Sequence, residues 1–472
     1  MTIQSILELP RSDGAAQRIA ELLYMAGMTP QVYKSAHSDI RTYLTAQSIT
    51  FEGRSLPVSL QPNVIDTNTV RELEADLSRI RTCINTVIRQ ARDDIRAKRN
   101  SVLTQFFSHY SDWFDVIAAE HRAIPDIMLM RFDLGSDGVG AWKAMEPNSA
   151  CPGGVIHCAH LRQAWSTTEI GKQIARSFKI EDNQIDDPTG FVRFMDRLCA
   201  DRPCKNVAIC NYNGIYNNEL ESLAKTSSKL FKAGETSGQI LLGDVADVTV
   251  RDGVAYMRDM PLGLIYNKID QLAINPSSTE LQGWIAASQL KTCDFLNSFG
   301  ALYLGEAKSV FAALCRQDIQ DLLGFTAEDV DAIRRTVSYT TRIADLTEAQ
   351  FADLSENRHH WVLKQDAATR GEGVVVGAQT SLATWKERLT KYSNENGVAQ
   401  RAIDISKRIS LKAEDDSCIL EASTEFYGTD MFFFGDDPAG LVSRCHSSSV
   451  FNVGNGGQEV PTLVVSQDQH VQ

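Results

Sequence analysis

The sequence lacks any apolar run of membrane-spanning length. A membrane helix needs roughly 18 or more consecutive apolar residues, and no stretch of the 472 residues approaches that length. The first 14 residues carry acidic side chains and no apolar segment of signal-peptide length, so we expect no secretion signal. The ten cysteines are irregularly spaced and do not form the pattern of a disulfide framework. These absences predict a cytoplasmic protein that acts without a membrane.

Basic residues are in deficit. Lys and Arg number 47 against 60 Asp and Glu, which gives a net charge of −13. A surface this acidic repels phosphate backbones and anionic lipids, so we expect no nucleic-acid partner and no membrane partner. Any anionic ligand must then be held by a local cluster of cations and amides. With 43% hydrophobic and 23% charged residues, the composition is otherwise that of a folded chain, and its length suggests about three lobes.

Two common nucleotide-binding signatures are also missing. The sequence has neither a Walker P-loop nor a glycine fingerprint of the Rossmann type after a strand. What it has is a lysine ahead of a glycine turn, in Lys364 with Gly371 and Gly373. Glycines let backbone amides approach phosphate oxygens, and the ammonium group neutralises their charge. In isolation the same pattern is typical of an ordinary β-turn.

Two short β-like runs surround a turn at residues 135–138. The first contains Arg131 and Asp133, and the second contains Glu146 and Asn148. The members of each pair are two residues apart, so on a strand both side chains point to the same face. Oxygen ligands in this arrangement suit a hard cation such as Mg²⁺, whereas the alternative is an exposed hairpin with surface charges. Arg131 suits either the stabilisation of an oxyanion or a surface ion pair with Glu146.

Periodicity gives a coarse picture of the remaining chain. Apolar residues at spacings of three and four from Val70 predict a helix, which a capping box of Thr69 and Glu72 would begin. Residues 205–275 alternate between strand and helix patterns, and residues 281–335 are mainly helical in pattern. We therefore expect a multi-lobed mixture of helix and sheet, of the α+β or α/β class.

Together these residues resemble the ATP-grasp superfamily. Its metal-binding signature is matched by Arg131, Asp133, Glu146, Asn148, Pro152 and Gly153. In ordinary members of the family the signature follows the nucleotide lobe, whereas here it lies far ahead of Lys364. This order is similar to that of the circularly permuted branch, which includes glutathionylspermidine synthetase-like carboxylate–amine ligases. Two departures are Gln365, where the family often has proline, and Gln458 with Glu459, which replace an acidic residue and tryptophan.

The resemblance implies a role for each matching residue. ATP would be bound by Lys308, Lys364, Arg370, Gly371, Glu372, Gly373, Gln400, Arg401 and Ile403. Mg²⁺, with Mn²⁺ as an alternative, would be bound by Asp133, Glu146 and Asn148. The catalytic residues would be Arg131 and Arg444. The substrate would be contacted by Asn452, Gly456 and Gly457.

The implied fold is a circularly permuted ATP-grasp core with added lobes. Residues 1–125 would form a helical N-terminal segment that packs on the core, and residues 126–155 would form the metal-binding hairpin. Residues 156–300 would form an α/β lobe for the acceptor substrate, and residues 301–472 would form the nucleotide-binding lobes. Candidate lining residues of the acceptor lobe, without motif support, are Arg162, Tyr212, Asn213, Tyr266 and Lys268.

The implied activity is that of an ATP-dependent carboxylate–amine ligase. Such an enzyme forms an amide bond through an acyl phosphate and releases ADP and phosphate. Two alternatives keep the nucleotide site: a phosphotransferase acting on a small molecule, and a nucleotide-binding protein without turnover. The substrates would be a carboxylate and an amine of amino-acid or peptide type, with a carrier protein as an alternative. A homodimer is an alternative to a monomer.

A group of zinc-ligand residue types follows the predicted hairpin. Cys151, His157, Cys158 and His160 all fall within one ten-residue stretch. Four tetrahedral ligands are hard to arrange within so short a segment, and no second Cys-x-x-Cys knuckle stands nearby. Packing beside the acceptor site is the simpler interpretation, with a zinc site as the alternative.

Overall fold

The computed structural model describes residues 15–51, 53–137, 140–212, 218–269, 274–368, 371–412, 420–450 and 453–466. Of the predicted site residues, Arg370 and Asn452 lie outside the described residues, as do Asn213 and the end of the predicted turn at residue 138. Within the described ranges, no helix is both long enough and apolar enough to cross a membrane.

Helices dominate the N-terminal part of the chain and recur between the strands. The α-helices of the described part are α1 (Ala15–Gly27), α2 (Pro30–Ala46), α3 (Thr67–Arg96), α4 (Val102–Phe106), α5 (Phe114–Ala119), α6 (His157–Thr167), α7 (Glu169–Ser177), α8 (Gly190–Leu198), α9 (Asn218–Lys232), α10 (Gln282–Ala287), α11 (Ser309–Leu314), α12 (Gln317–Leu323), α13 (Ala327–Thr336), α14 (Glu348–Glu356) and α15 (Leu382–Asn394). A 3₁₀ segment spans Ser108–Trp113, and a π-helical turn spans Ala301–Gly305.

The long helix α3 forms on the predicted apolar stripe. The apolar residues of the stripe are buried, as their spacing predicts: Val70, Leu73, Leu77, Ile80, Ile84, Val87 and Ile88. The prediction for its first residue was wrong, because the helix begins at Thr67 and is capped by Asp66. The carboxylate of Asp66 accepts the backbone N–H of Thr69 at 3.0 Å, so Thr69 lies inside the first turn.

The central antiparallel sheet joins early and late parts of the chain. The strands are β4 (Leu129–Ser136), β5 (Trp142–Asn148), β17 (Lys407–Lys412), β18 (Glu421–Phe434), β19 (Asp437–His446) and β20 (Gln458–Val460). Their order in the sheet is β20-β19-β18-β4-β5, and β17 pairs with β18. The predicted hairpin is confirmed, because β4 and β5 pair with Arg131 opposite Asn148 and Asp133 opposite Glu146. On its other side β4 pairs with β18, which sets Asp430 opposite Asp133.

A second, four-stranded sheet carries Lys364. Its order is β13-β16-β14-β15, formed by β13 (Thr340–Arg342), β14 (Trp361–Lys364), β15 (Val374–Val376) and β16 (Val398–Arg401). The predicted strand ending at Lys364 and its return strand are confirmed, since Lys364 pairs with Val374 across β14 and β15. The helix α15 packs on this sheet through Trp385 and Leu389, which share a buried cluster with Leu363.

A third sheet forms the α/β lobe, as the alternating pattern predicts. It has the order β8-β7-β11-β10-β9, with β12 beside β11. Its strands are β7 (Asn206–Asn211), β8 (Ile240–Asp244), β9 (Val248–Arg251), β10 (Val254–Met257), β11 (Met260–Asn267) and β12 (Asp294–Phe295). The strands β8, β7, β11 and β12 are parallel neighbours, so their carboxyl ends meet at one edge.

A small sheet joins the last strand of the described part to two earlier strands. The remaining strands are β1 (Thr50–Phe51), β2 (Arg54–Ser55), β3 (Asn63–Asp66), β6 (Lys179–Glu181) and β21 (Thr462–Ser466). β1 and β2 form a hairpin, while β21 lies between β3 and β6. The N-terminal segment is therefore mainly helical and is joined to the end of the chain through β3.

Aromatic packing fixes the hairpin against α11. Phe132 on β4 lies edge-on to Phe433 on β18, with ring centroids 6.0 Å apart, and stacks on Phe311 of α11 at 6.4 Å. All three rings are buried, and each such burial stabilises the fold by roughly 1.5–3 kcal/mol. Because side chains alternate along a strand, the neighbours Arg131 and Asp133 project from the opposite face of β4.

Candidate active site

Asp133 lies at the centre of a buried group of charges. Arg131 donates to its carboxylate through Nε at 2.8 Å and Nη2 at 3.2 Å, and Arg444 donates through Nη2 at 2.8 Å. The side-chain amide of Asn148 adds a further donor at 2.7 Å. Burial alone raises the pKa of Asp133, but the two guanidinium groups outweigh it and lower the pKa to about 2. Asp133 therefore stays ionised and holds both predicted catalytic arginines.

Asp430 completes this group from the neighbouring strand. Its carboxylate accepts Arg444 Nη2 at 2.8 Å and lies 3.7 Å from Arg131 Nε. Burial raises the pKa of Asp430 to about 6, because Arg444 offsets only part of the desolvation and Asp133 adds a like charge. No local pattern in the sequence indicates Asp430, because its place beside Asp133 follows from the pairing of β18 with β4.

Two lysines from separate segments converge on Glu146. The Nζ atoms of Lys308 and Lys364 each lie 3.9 Å from Glu146 Oε2. Lys364 also donates to the carbonyl oxygen of Met145 at 2.8 Å, and Lys308 donates to that of Ala368 at 2.5 Å. Burial lowers the pKa of Lys364 to about 8, and the attraction of Glu146 offsets only part of that effect. These contacts bring the hairpin and the second sheet to the same place.

A half-buried carboxylate that the sequence analysis did not single out, Glu306, supports this region. Glu306 accepts the backbone N–H groups of Ser149 at 2.5 Å and Ala150 at 2.7 Å, directly after the hairpin strand β5. Burial raises the pKa of Glu306 to about 7, against the opposing effect of these hydrogen bonds and of Lys308. In the sequence, Glu306 is marked only by its place two residues before Lys308.

The glycine turn after Lys364 depends on glycine at Gly373. The φ angle of Gly373 is +67°, in the left-handed region, and a Cβ atom there would lie 2.4 Å from Gln365 Oε1. Gln365 also donates its backbone N–H to the carbonyl oxygen of Gly373 at 3.2 Å. Proline at this position would have no N–H to make this bond. Gly371 also has a positive φ, and Glu372 is exposed.

Three of the predicted ATP-binding residues, Gln400, Arg401 and Ile403, lie along and after β16. The buried Gln400 donates to Thr340 Oγ1 at 2.9 Å, and the guanidinium of Arg401 lies 4.0 Å above the ring of Trp361. Ile403 lies close to Gly135, since a Cβ atom on that glycine would be 3.5 Å from Ile403 Cδ1. An apolar contact thus connects the hairpin with the chain that follows β16. The assignment of Gln400, Arg401 and Ile403 to ATP binding stays a prediction.

The loop that follows the hairpin is held from two sides. Arg131 Nη1 donates to the carbonyl oxygen of Gly153 at 2.9 Å. The buried Lys268, at the carboxyl end of β11, donates to the carbonyl oxygens of Pro152 at 2.9 Å and Cys151 at 3.2 Å. The α/β lobe is therefore joined through this loop to the arginine group, which consists of Arg131 and Arg444 around Asp133. Ligands of parallel sheets commonly bind at such carboxyl ends.

The predicted substrate glycines lie between β19 and β20. Gly456 is exposed with a φ of +92°, and Gly457 is buried. Glu459, which follows them, pairs with Arg444 across β20 and β19 and lies 3.2 Å from His157 Nδ1. The contact of Gly456 and Gly457 with a substrate stays a prediction.

The cysteine and histidine group has separate contacts. Cys158 Sγ donates to the carbonyl oxygen of Gly154 at 3.2 Å, and His160 Nδ1 lies 3.5 Å from the hydroxyl of Tyr43. Among the described residues, three or more His, Cys, Asp and Glu side chains nowhere gather as a metal site. Free thiols are present at Cys83, Cys199, Cys204, Cys210, Cys293 and Cys315.

Of the three residues predicted to bind Mg²⁺, only some are arranged as metal ligands. Glu146 is 25% exposed at its side chain, and its neighbouring cations are at 3.9 Å. Asn148 points its amide nitrogen at Asp133, which directs its carbonyl oxygen elsewhere. Both oxygens of Asp133 already accept guanidinium donors. Glu146 and Asn148 therefore suit a hard cation, whereas Asp133 in this arrangement serves the arginines, and its role as a metal ligand stays a prediction.

Comparison with known proteins identifies the fold. No family model matches the chain, and no curated protein matches it. The solved structure of a glutathione synthetase-like effector from Globodera pallida, in its apo form, is similar with a TM-score of 0.60 and 10% identity, over 93% of this chain and 98% of that chain. At 10% identity this likeness shows the fold alone. The chain shares the fold of this glutathione synthetase-like effector, which is consistent with the resemblance of the sequence to the ATP-grasp superfamily, and circular permutation stays a prediction.

Two further likenesses have TM-scores too low to carry an argument. A gamma-glutamylcysteine synthetase-like protein from Methylobacillus flagellatus KT has a TM-score of 0.37 and 12% identity, over 78% of this chain and 83% of that chain. D-alanyl-alanine synthetase A from Vibrio cholerae has a TM-score of 0.26 and 8% identity, over 55% of this chain and 88% of that chain.

Proposed function

We propose that this chain, with its ATP-grasp-type fold, is an ATP-dependent ligase that joins a carboxylate to an amine. The observation that carries the proposal is the convergence of Lys308 and Lys364 on Glu146, beside the arginine group. In a chain of net charge −13, a phosphate chain needs a local concentration of cations. Both lysines are buried, which strengthens their interaction with an anion.

The lysines would hold the transferred phosphoryl group. Phosphoryl transfer depends on positioning and on neutralising the charge of the γ-phosphate oxygens. Lys308 and Lys364 would offset that charge, and an anion beside Lys364 would favour its protonated form. Mg²⁺ on Glu146 and Asn148 would supply further neutralisation of phosphate charge.

The arginines would act in the second half of the reaction. First, a substrate carboxylate oxygen attacks the γ-phosphorus, the bond to the bridging oxygen breaks, and an acyl phosphate and ADP result. An amine then attacks the acyl carbon, phosphate leaves, and the amine loses a proton. Arg131 and Arg444, held by Asp133, would stabilise the oxyanion that forms at the acyl carbon.

The acceptor would bind between the arginine group and the α/β lobe. Lys268 and Arg131 hold opposite sides of the loop at 151–153, which places cations around it. Cations of this kind suit a substrate that carries a carboxylate, such as an amino acid or a short peptide. The amine of the second substrate would approach the acyl carbon from the side of the α/β lobe.

Release of ADP in the presence of pooled carboxylates and amines tests the proposal. A ligase should consume ATP fully only when both substrates are present, and hydroxylamine should trap its acyl phosphate as a hydroxamate. If a carboxylate stimulates ADP release and never gives a hydroxamate, the ligase proposal is wrong. ADP release with one acceptor and a stable phosphorylated product would support a phosphotransferase instead.

A further inference from the structure

A buried carboxylate next to Lys308 and Lys364 accepts hydrogen bonds from two other parts of the chain. Asp366 is 3% exposed and lies two residues after Lys364. Its carboxylate accepts the backbone N–H of Ser309 at 2.6 Å and the hydroxyl of Ser309 at 3.1 Å. The hydroxyl of Tyr110 donates to it at 3.1 Å, and His109 Nε2 lies at 2.7 Å.

These contacts connect the two lysine-bearing segments at the backbone. Ser309 begins α11 directly after Lys308, and Lys308 donates its own backbone N–H to the carbonyl oxygen of Asp366 at 3.2 Å. Lys308 Nζ reaches the same loop at Ala368. Lys308 and Lys364 are far apart in sequence, so the distance between their ammonium groups depends on this junction.

The third segment is the 3₁₀ turn Ser108–Trp113 of the N-terminal part. The ring of Tyr110 lies 4.1 Å from that of His109 and 6.0 Å from that of Tyr303. Trp113 stacks on Tyr303 at 4.4 Å. These packed rings give the Tyr110 hydroxyl a fixed position, so Asp366 is held against a rigid support.

We propose that Asp366, with His109 and Tyr110, is a positioning site that sets the separation of Lys308 and Lys364 and thereby the affinity for phosphate chains. This inference rests on the proposed function, because it assigns the lysines to a nucleotide. Neither His109 nor Tyr110 has to touch the nucleotide. The N-terminal segment then shapes the nucleotide site in addition to covering the core.

The 3₁₀ turn is also held by contacts that do not involve Asp366, so an effect on ligand binding can be separated from an effect on stability. Trp113 of the turn stacks on Phe299 at 5.6 Å, and Arg342 donates to the carbonyl oxygen of Phe106, at the end of the preceding helix α4, at 2.9 Å. Loss of one hydroxyl from Tyr110 should therefore leave the turn in place. The same loss removes one of the donors that fix Asp366.

Titration of the full-length chain with ATP and with inorganic tripolyphosphate tests the positioning site. The variants are Tyr110→Phe, His109→Ala, His109→Gln and Asp366→Asn, each followed by calorimetry and thermal unfolding. Tyr110→Phe should raise the Kd for both ligands by about 3- to 10-fold, as expected from one lost hydrogen bond. His109→Ala should have a similar effect, and His109→Gln, which can again donate to Asp366, should restore part of the affinity.

Tyr43→Phe is the matched control. The hydroxyl of Tyr43 donates at 2.7 Å to Gln163, which lies on α6 and away from the lysines. This variant should leave both Kd values within about twofold of the wild type. If Tyr110→Phe and His109→Ala lower the unfolding temperature but leave both Kd values unchanged, the site is structural and the inference is wrong. Should Asp366→Asn fail to fold, those two variants decide. A wild type that binds neither ligand overturns the proposed function, and this inference with it.

Discussion

Asp133 and Arg444 are 311 residues apart in the sequence and are joined by a hydrogen bond of 2.8 Å. The contact exists because β4 and β19 both pair with β18, so the early hairpin and the late strand become near neighbours in one sheet. The arginine group is thus a product of sheet topology. Any change that weakens the contact should register in the stability of the whole sheet.

Asp133→Asn should destabilise the protein at neutral pH. The pKa of Asp133 is lowered from 3.8 to about 2 in the folded state, so its ionised form stabilises the fold by about 2–3 kcal/mol. That contribution is present above the unfolded pKa and is lost as the pH falls from about 4 towards 2. Urea unfolding without added magnesium, at pH 7 and at pH 3, should show a large difference from the wild type that shrinks at the lower pH.

Asp430→Asn is the matched control for this prediction. Burial raises the pKa of Asp430 to about 6, so Asp430 is still mostly ionised at pH 7, but keeping its charge in the folded state costs free energy. Asparagine resembles the protonated form and avoids that cost. The variant should therefore cost less stability than Asp133→Asn although both side chains contact Arg444. Equal losses for the two variants would contradict the assigned difference between the carboxylates.

Local features of the site could be predicted from the sequence, and distant ones could not. The spacing of Arg131 with Asp133 and of Glu146 with Asn148 fixes the faces of two paired strands, because side chains alternate along a strand. By contrast, Asp430 depends on long-range pairing, which no local pattern encodes. Asp366 gains its role from donors on two distant segments, one of which the sequence analysis assigned only to packing.

Glu146→Gln should abolish turnover and leave the fold intact. The change keeps the size of the side chain and removes the charge that faces Lys308 and Lys364. ADP formation should fall by about 100-fold or more, with an unfolding temperature within about 3 °C of the wild type. Glu348→Gln, an exposed change on α14, is the control. Near-normal turnover of Glu146→Gln would remove Glu146 from the site.

Gly373→Ala should destabilise the glycine turn after Lys364, and the loss should be larger than the cost of the positive φ angle alone. A residue with a side chain costs about 1–2 kcal/mol at a positive φ, and a Cβ atom on Gly373 would also crowd Gln365. Gly234→Ala provides the comparison, since Gly234 has a similar φ of +72° and no atom within 4 Å of the added Cβ. Thermal unfolding of both variants should show the larger loss for Gly373→Ala, together with weaker ATP binding. Equal losses would show that the Gln365 side chain moves away freely.

ATP binding should take up protons above neutral pH. Because burial lowers the pKa of Lys364 to about 8, about half of this lysine is neutral at pH 8 in the free protein. A phosphate beside it stabilises the charged form, so binding at pH 8 should take up about half a proton, and binding at pH 6.5 almost none. Calorimetry in buffers of different ionisation enthalpy measures this number directly.

Lys364→Ala identifies the group responsible for that proton uptake. The variant should lose the uptake at pH 8 and bind ATP about 10-fold or more weakly, since a charge-assisted contact is removed. Lys386→Ala, which changes an exposed lysine on α15, should retain both the uptake and the affinity. Proton uptake that persists in Lys364→Ala would assign the titrating group to another residue, and unchanged affinity would contradict the place of Lys364 in the nucleotide site.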